Sequence, residues 1–154
     1  NMSVEEAIAF FSSQPEPAAG TIAAKLQPLV DVGLSYIKLG QSSSTLSGGE
    51  SQRIKLAYFL SMTDSTAKKI MFIFDEPTTG LHFHDVEKLV KAFDSLLDRG
   101  HTVVVVEHNL DVIRCADWLI ELGPGAGDRG GSLVFAGTPE ELARKKDTAT
   151  SEYL

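Results

Sequence analysis

From about residue 46 onward the chain alternates between stripes of apolar residues at helical spacing and short solid apolar runs. The stripes predict helices over 50–62 and 83–99 and a shorter one over 109–116. The runs at 70–74 and 103–106 contain no polar residue, so they predict strands over 70–75 and 102–107 that are covered on both faces. Strands are also predicted over 117–122 and 132–136, with Trp118 in the core. Thr138-Pro139-Glu140-Glu141 then opens a final helix: Thr138 caps, Pro139 suits the first turn and Glu141 completes a capping box. Helices alternating with buried strands predict an α/β fold built on a mostly parallel sheet. Upstream, Ser3 and Glu6 form another capping box, and Ala7, Ile8, Phe10 and Phe11 give that helix its apolar face. Pro15, Pro17 and Gly20 mark 14–20 as a linker, with a second helix over 21–32 and a loop or short helix over 33–44. There is no internal repeat.

Three places carry candidate chemistry. Leu46-Ser47-Gly48-Gly49-Glu50 starts a helix: Ser47 can cap it, Glu50 stands at the capping-box position, and the glycines let a ligand reach the backbone N–H groups. The same residues would also serve an ordinary capped helix. At 70–77 the apolar strand ends in Asp75-Glu76-Pro77, at the sheet edge where ligands of open α/β folds bind. There Asp75 could hold Mg²⁺ and Glu76 could orient or deprotonate an attacking water; the alternative is two solvated acids in a turn. His108 follows the run at 103–106 and Glu107, where it could sense a phosphate or be structural.

The order of the three motifs resembles that of ABC-type ATPases. Thr45-Leu46-Ser47-Gly48-Gly49-Glu50-Ser51-Gln52-Arg53 is similar to the ABC signature, and Phe74-Asp75-Glu76-Pro77-Thr78-Thr79-Gly80-Leu81-His82 to Walker B running into the D-loop. Glu107-His108-Asn109 resembles the switch-histidine segment. Gly80-Leu81-His82-Phe83-His84-Asp85, Leu39-Gly40-Gln41 and the stretch from Ala116-Asp117-Trp118 to Gly123-Pro124 narrow the likeness to the UvrA family, the ATPases of the excinuclease ABC system. Thr78-Thr79-Gly80 with Phe83 points to the second of the family's two nucleotide-binding domains, whereas the glycine run at 123–127 looks closer to the first.

The resemblance implies the C-terminal portion of a P-loop NTPase-like nucleotide-binding domain, with a helical lead-in over 1–45 and an ATPase core over 46–154. It implies that Ser47, Gly48, Gly49 and Glu50 face ATP bound to the opposing nucleotide-binding domain. Asp75 would hold Mg²⁺ with ATP, Glu76 and His108 would be catalytic, and 81–85 would lie at the domain interface. It further implies a cytoplasmic, homodimeric parent in DNA repair and the SOS response, which binds damaged DNA and hands it to a downstream repair protein. A translation-associated ABC ATPase would carry Leu-Asp in the D-loop, and a chromosome-maintenance ATPase would carry heptads before the signature; neither is found. A non-catalytic interaction fragment is the remaining alternative.

Composition sharpens this. A P-loop needs Gly-Lys followed by Ser or Thr, and none of the 13 glycines precedes a lysine. The lone cysteine, Cys115, rules out a Cys-rich zinc site in this chain; the resemblance implies zinc, held by Cys-x-x-Cys pairs, only in parts of the parent upstream of it. With no Met at its start, the chain is expected to be an excised or truncated piece, unable to hydrolyse ATP alone. A sheet edge stranded by the missing P-loop strand is expected to favour self-association. A net charge of −7 disfavours stand-alone DNA binding, and Lys68-Lys69 and Arg144-Lys145-Lys146 read as solvated surface. No apolar run reaches the roughly 20 residues of a membrane helix. The loop at 123–127 invites a dinucleotide-binding reading, but the strand-like Leu133-Val134-Phe135 follows it, so it is expected to be a hairpin loop.

Overall fold

The computed structural model describes residues 2–62, 68–123, 125, 130–145 and 147–154. They form two compact units, 1–106 and 107–154. The first holds helices α1 (Val4–Ser12), α2 (Pro17–Asp31) and α3 (Gly48–Ser61), strand β1 (Met71–Asp75), helix α4 (Phe83–Asp98) and strand β2 (Thr102–Val106). A single 3-10 turn, Ser43–Thr45, leads into α3.

Both capping boxes predicted in this unit are present. Ser3 and Glu6 exchange hydrogen bonds of 2.8 and 3.1 Å at the start of α1, and Ser47 and Glu50 exchange bonds of 2.7 and 3.2 Å at the start of α3. Helix α2 begins four residues earlier than expected, at Pro17, so the linker is only its first part. Pro17 occupies the first turn, where a missing N–H costs nothing, and the alanines that follow sustain the helix. At the end of α2, Gly33 has φ 76°, and a Cβ there would lie 3.0 Å from that of Asp85; the chain turns here because glycine fits between α2 and the start of α4.

Strands β1 and β2 pair in parallel, with Phe72 beside Val103 and Phe74 beside Val105. Phe72 and Phe74 point into a core with Val32, Leu34, Leu56, Leu89, Phe93 and Leu96. Phe72 meets Phe59 edge-on at 4.9 Å, and Phe74 meets Phe93 at the same separation. The expectation of cover on both faces is overturned. Met71 and Ile73 are 63% and 69% exposed, and Val104 and Val106 are exposed as well. The helices of this unit pack on one face only, so solid apolar runs here mean one buried face and, within the unit, one open apolar face.

The second unit holds helix α5 (Leu110–Arg114), strands β3 (Leu119–Leu122) and β4 (Leu133–Gly137) and helix α6 (Pro139–Lys145). Strands β3 and β4 pair antiparallel, with an irregularity at Glu121 and Leu122. The hairpin expected around the glycine loop is therefore present, although Pro124, Ala126 and Gly127 lie outside the described residues, as does Lys146 of the basic triplet. A mostly parallel sheet is not what these strands form: one pair is parallel, the other is antiparallel, and they belong to separate two-stranded sheets. Trp118, expected in the core, is 61% exposed just before β3, where no described element covers it. At α6, Thr138 and Glu141 form the predicted capping box, with bonds of 2.9 and 3.3 Å.

Candidate functional site

Helix α3 starts on the exposed Ser47, whose hydroxyl accepts the Glu50 N–H, and the Glu50 carboxylate accepts the Ser47 N–H in return. The other Glu50 carboxylate oxygen accepts the Tyr36 hydroxyl at 2.6 Å. That bond, followed by the Ser47 N–H, holds the Glu50 carboxyl below the usual glutamate range. Partial burial, then the bond to Glu50, pushes the Tyr36 hydroxyl up, while nearby Arg53 pulls it down. The Glu50 side chain thus closes the capping box at the helix start and ties it to Tyr36.

The two glycines, read alike in the sequence, differ. A Cβ on Gly48 would meet nothing within 4 Å, so this position is open. Gly49 is buried, and a Cβ there would lie 3.2 Å from Arg53 Nη1, 3.4 Å from Thr79 O and 3.6 Å from Pro77 O. Gly48 leaves room at the helix start, whereas Gly49 lets the helix lie against the turn that follows β1.

That turn bears the two carboxylates. Asp75 ends β1 with its residue exposed, and Glu76 follows at φ 46°, the only non-glycine residue with positive φ among those described. Such a backbone costs an L residue on the order of 1–3 kcal/mol and persists where its surroundings impose it. Here the Glu76 N–H donates to Val106 O at 2.9 Å, and Glu76 O accepts the Thr79 N–H at 3.1 Å. The donor set fits a hydrated magnesium ion, which usually takes one or two carboxylates and completes its shell with water and phosphate. Asp75 supplies one exposed carboxylate. No cluster of three or more metal-ligating side chains occurs among the described residues.

His108 belongs to the second unit. It is exposed, and its N–H donates to the Glu107 carboxylate at 3.0 Å, which also accepts the Asn109 N–H at 3.2 Å. Asn109 caps α5 by accepting the Asp111 N–H. His82 precedes α4 without a side-chain cap, and His84 lies in its first turn.

Two residues of the site were legible only as members of a motif. The carboxamide of Gln52 bonds the backbone of Asp75 on both sides, and Arg53 donates to Pro77 O at 2.6 Å. Arg53 is fully buried. Its signal was available: the buried positions of α3 are Gly49, Arg53, Leu56 and Ala57, so a cation sits on the apolar stripe.

No protein-family model matches the chain. Among curated proteins, UvrABC system protein A of Clostridium perfringens is 55% identical over all 154 residues, and that of Aquifex aeolicus is 55% identical over 153. The chain spans about a sixth of each of these relatives, 16% in both cases. Among solved structures, UvrA2 from Deinococcus radiodurans superposes over 97% of the chain and 20% of its own length, with a TM-score of 0.81 and 35% identity. The archaeal ribosome recycling factor aABCE1, in its complex with the stalk protein aP1, matches 91% of this chain and 24% of its own at a TM-score of 0.54 and 22% identity, a likeness of fold alone.

Proposed function

The chain belongs over its whole length to the UvrABC system protein A family, and on that premise we propose that it is part of the ATP-binding and hydrolysing module of a DNA-damage-recognition ATPase in bacterial nucleotide excision repair. The observation that carries this reading is the pairing of an open helix start at Ser47 and Gly48 with the Asp75-Glu76 turn packed beside it. Backbone N–H groups at a helix start suit a phosphate. Ser47, Gly48 and Gly49 are assigned to the γ-phosphate of ATP held by an opposing nucleotide-binding domain, with Glu50 holding their geometry. Asp75 is assigned to Mg²⁺ bound with ATP, which neutralises phosphate charge. Glu76 orients or deprotonates the attacking water, and His108 reads the phosphate.

The helical lead-in over 1–45 and the core over 46–154 remain the working division. The proposed partners are a second copy of a homodimeric parent, damaged DNA and a downstream repair protein, and the proposed compartment is the cytoplasm. No helix among the described residues is long and apolar enough to cross a membrane.

The test places this chain in the full-length Clostridium perfringens relative, in exchange for the segment it matches, and measures ATP hydrolysis and nucleotide binding. The exchanged protein is expected to hydrolyse ATP. Glu76→Gln should lower kcat about a hundredfold or more with ATP binding retained, in line with the loss of a general base. Unchanged turnover in Glu76→Gln would remove Glu76 from the chemistry. The 154-residue chain by itself is expected to show no turnover.

A further inference from the structure

One helical turn of α3 grips the turn that bears the two carboxylates. The Gln52 carboxamide pairs with Asp75 as a neighbouring strand would: Nε2 donates to Asp75 O at 2.9 Å, and Oε1 accepts the Asp75 N–H at 3.1 Å. The next residue, Arg53, donates through Nη1 to Pro77 O at 2.6 Å and reaches Thr79 O at 3.4 Å. Glu76 lies between these anchor points at φ 46°. The grip therefore holds both flanks of the one strained residue in the turn.

Arg53 is not there for packing alone. It is fully buried and close to the Tyr36 hydroxyl and the Glu50 carboxylate, but its Nε and Nη2 make no well-formed hydrogen bond among the described residues. A buried guanidinium that uses only part of its donors carries a desolvation cost, and an apolar side chain of similar volume often replaces a buried charge at no loss of stability. What an apolar residue could not do is hold the carbonyls of Pro77 and Thr79. Gly49 brings the start of α3 directly against the same two carbonyls. The helix start and the Glu76 turn are thus joined by contacts from three residues of α3, Gly49, Gln52 and Arg53.

We infer that Gln52 and Arg53 are positioning residues that make the conformation of the Asp75–Glu76 turn, and with it the aim of the Glu76 carboxylate, follow the position of the α3 start. Occupation of Ser47 and Gly48 by a phosphate on an opposing domain would then be felt at the carboxylates of this one. The grip is a property of this unit; its consequence for turnover rests on the catalytic reading of Glu76 given above.

The first measurement is residue-resolved amide exchange on the 154-residue chain, comparing wild type with Arg53→Met, Gln52→Ala and Gln52→Glu. Arg53→Met keeps the volume and removes the donors, so it should fold while the Thr79 and Leu81 amides exchange about tenfold faster, with α1 and α4 unchanged. Gln52→Ala should expose the Asp75 amide to the same extent, and Gln52→Glu, which keeps an acceptor for that amide but sets its other carboxylate oxygen against Asp75 O, should restore its protection only in part. Unchanged protection at the turn, or a uniform loss throughout the unit as for any structural residue, would overturn the inference.

The second measurement is kinetic, in the full-length relative carrying this chain. Arg53→Met is expected to lower kcat about tenfold while the KM for ATP stays within about threefold, the split expected when transition-state geometry is lost. A raised KM with unchanged kcat, or an unchanged kcat where Glu76→Gln abolishes turnover, would overturn the inference. An unchanged rate in Glu76→Gln itself would instead sink the catalytic reading and leave the grip standing on the exchange data.

Discussion

Helix α3 is held by an arginine at each end, and the two ends make different use of the same chemistry. At the C-terminal end, Arg99 reaches across from beyond α4 and donates to Phe59 O, Leu60 O and Met62 O at 3.0–3.2 Å. It is exposed, and it meets carbonyls of the last helical turn, of which Phe59 O also accepts the Met62 N–H. Water could take its place, so its contribution is that of an ordinary cap. At the N-terminal end, Arg53 lies within the helix, is sealed from solvent and reaches out to a turn of unusual backbone. Water cannot substitute there. A hydrogen-bond count alone would rank Arg99 first; burial reverses that order.

The largest effect should come from Arg53→Ala, which removes a buried side chain and leaves Pro77 O without its donor. Together these should lower stability by about 3 kcal/mol, read as a shift in urea unfolding. A loss no greater than that of Arg99→Ala would erase the contrast between the two ends. Next comes Gly49→Ala, expected to cost about 1–2 kcal/mol because a methyl would press on Arg53 and on two carbonyls. Its neighbour provides the control: Gly48→Ala meets nothing and should leave thermal stability unchanged within about 0.5 kcal/mol. Equal losses at the two glycines would contradict the division of labour between them. Arg99→Ala should cost less than about 1 kcal/mol, since solvent can satisfy the freed carbonyls.

The smallest effect is pH-dependent and sharpens the N-terminal end. The Glu50 carboxyl is held below its ordinary range by Tyr36 and by the Ser47 N–H. A depressed folded-state value stabilises the fold above the unfolded value, and that contribution is lost as pH falls through the folded one. The stability difference between wild type and Glu50→Gln should therefore be full near neutrality and shrink as pH drops below about 4.3. A difference that instead grew on acidification would mean that the carboxylate is not the stabilising form.

Much of this local architecture was legible because its causes are local. The capping boxes at Ser3, Ser47 and Thr138 each lie within four residues of sequence, and each closed as read. Strand and helix limits fell within a residue or two for β1, α4 and β2. What failed was of longer range. A solid apolar run says that a strand is attractive to neighbours, but not how many faces receive one, so Met71 and Ile73 were placed in a core they do not enter. Trp118 failed for the same reason. The two signature glycines are identical as letters, and only a turn some 30 residues away separates their roles. Gln52 and Arg53 likewise find partners 23 to 26 residues on, beyond any periodicity, although an arginine on the apolar stripe of α3 was a visible anomaly.

The left-handed backbone at Glu76 also bears on how selection acts on this residue. Glycine would adopt φ 46° without strain and should stabilise the fold by about 1 kcal/mol, yet it would delete the carboxylate. On the proposed role of Glu76 as the residue that activates water, durability and turnover pull in opposite directions at a single codon. A library of this chain sorted for thermal tolerance alone should drift toward glycine at position 76, and one carried in the full-length relative and sorted for ATP hydrolysis should return to glutamate.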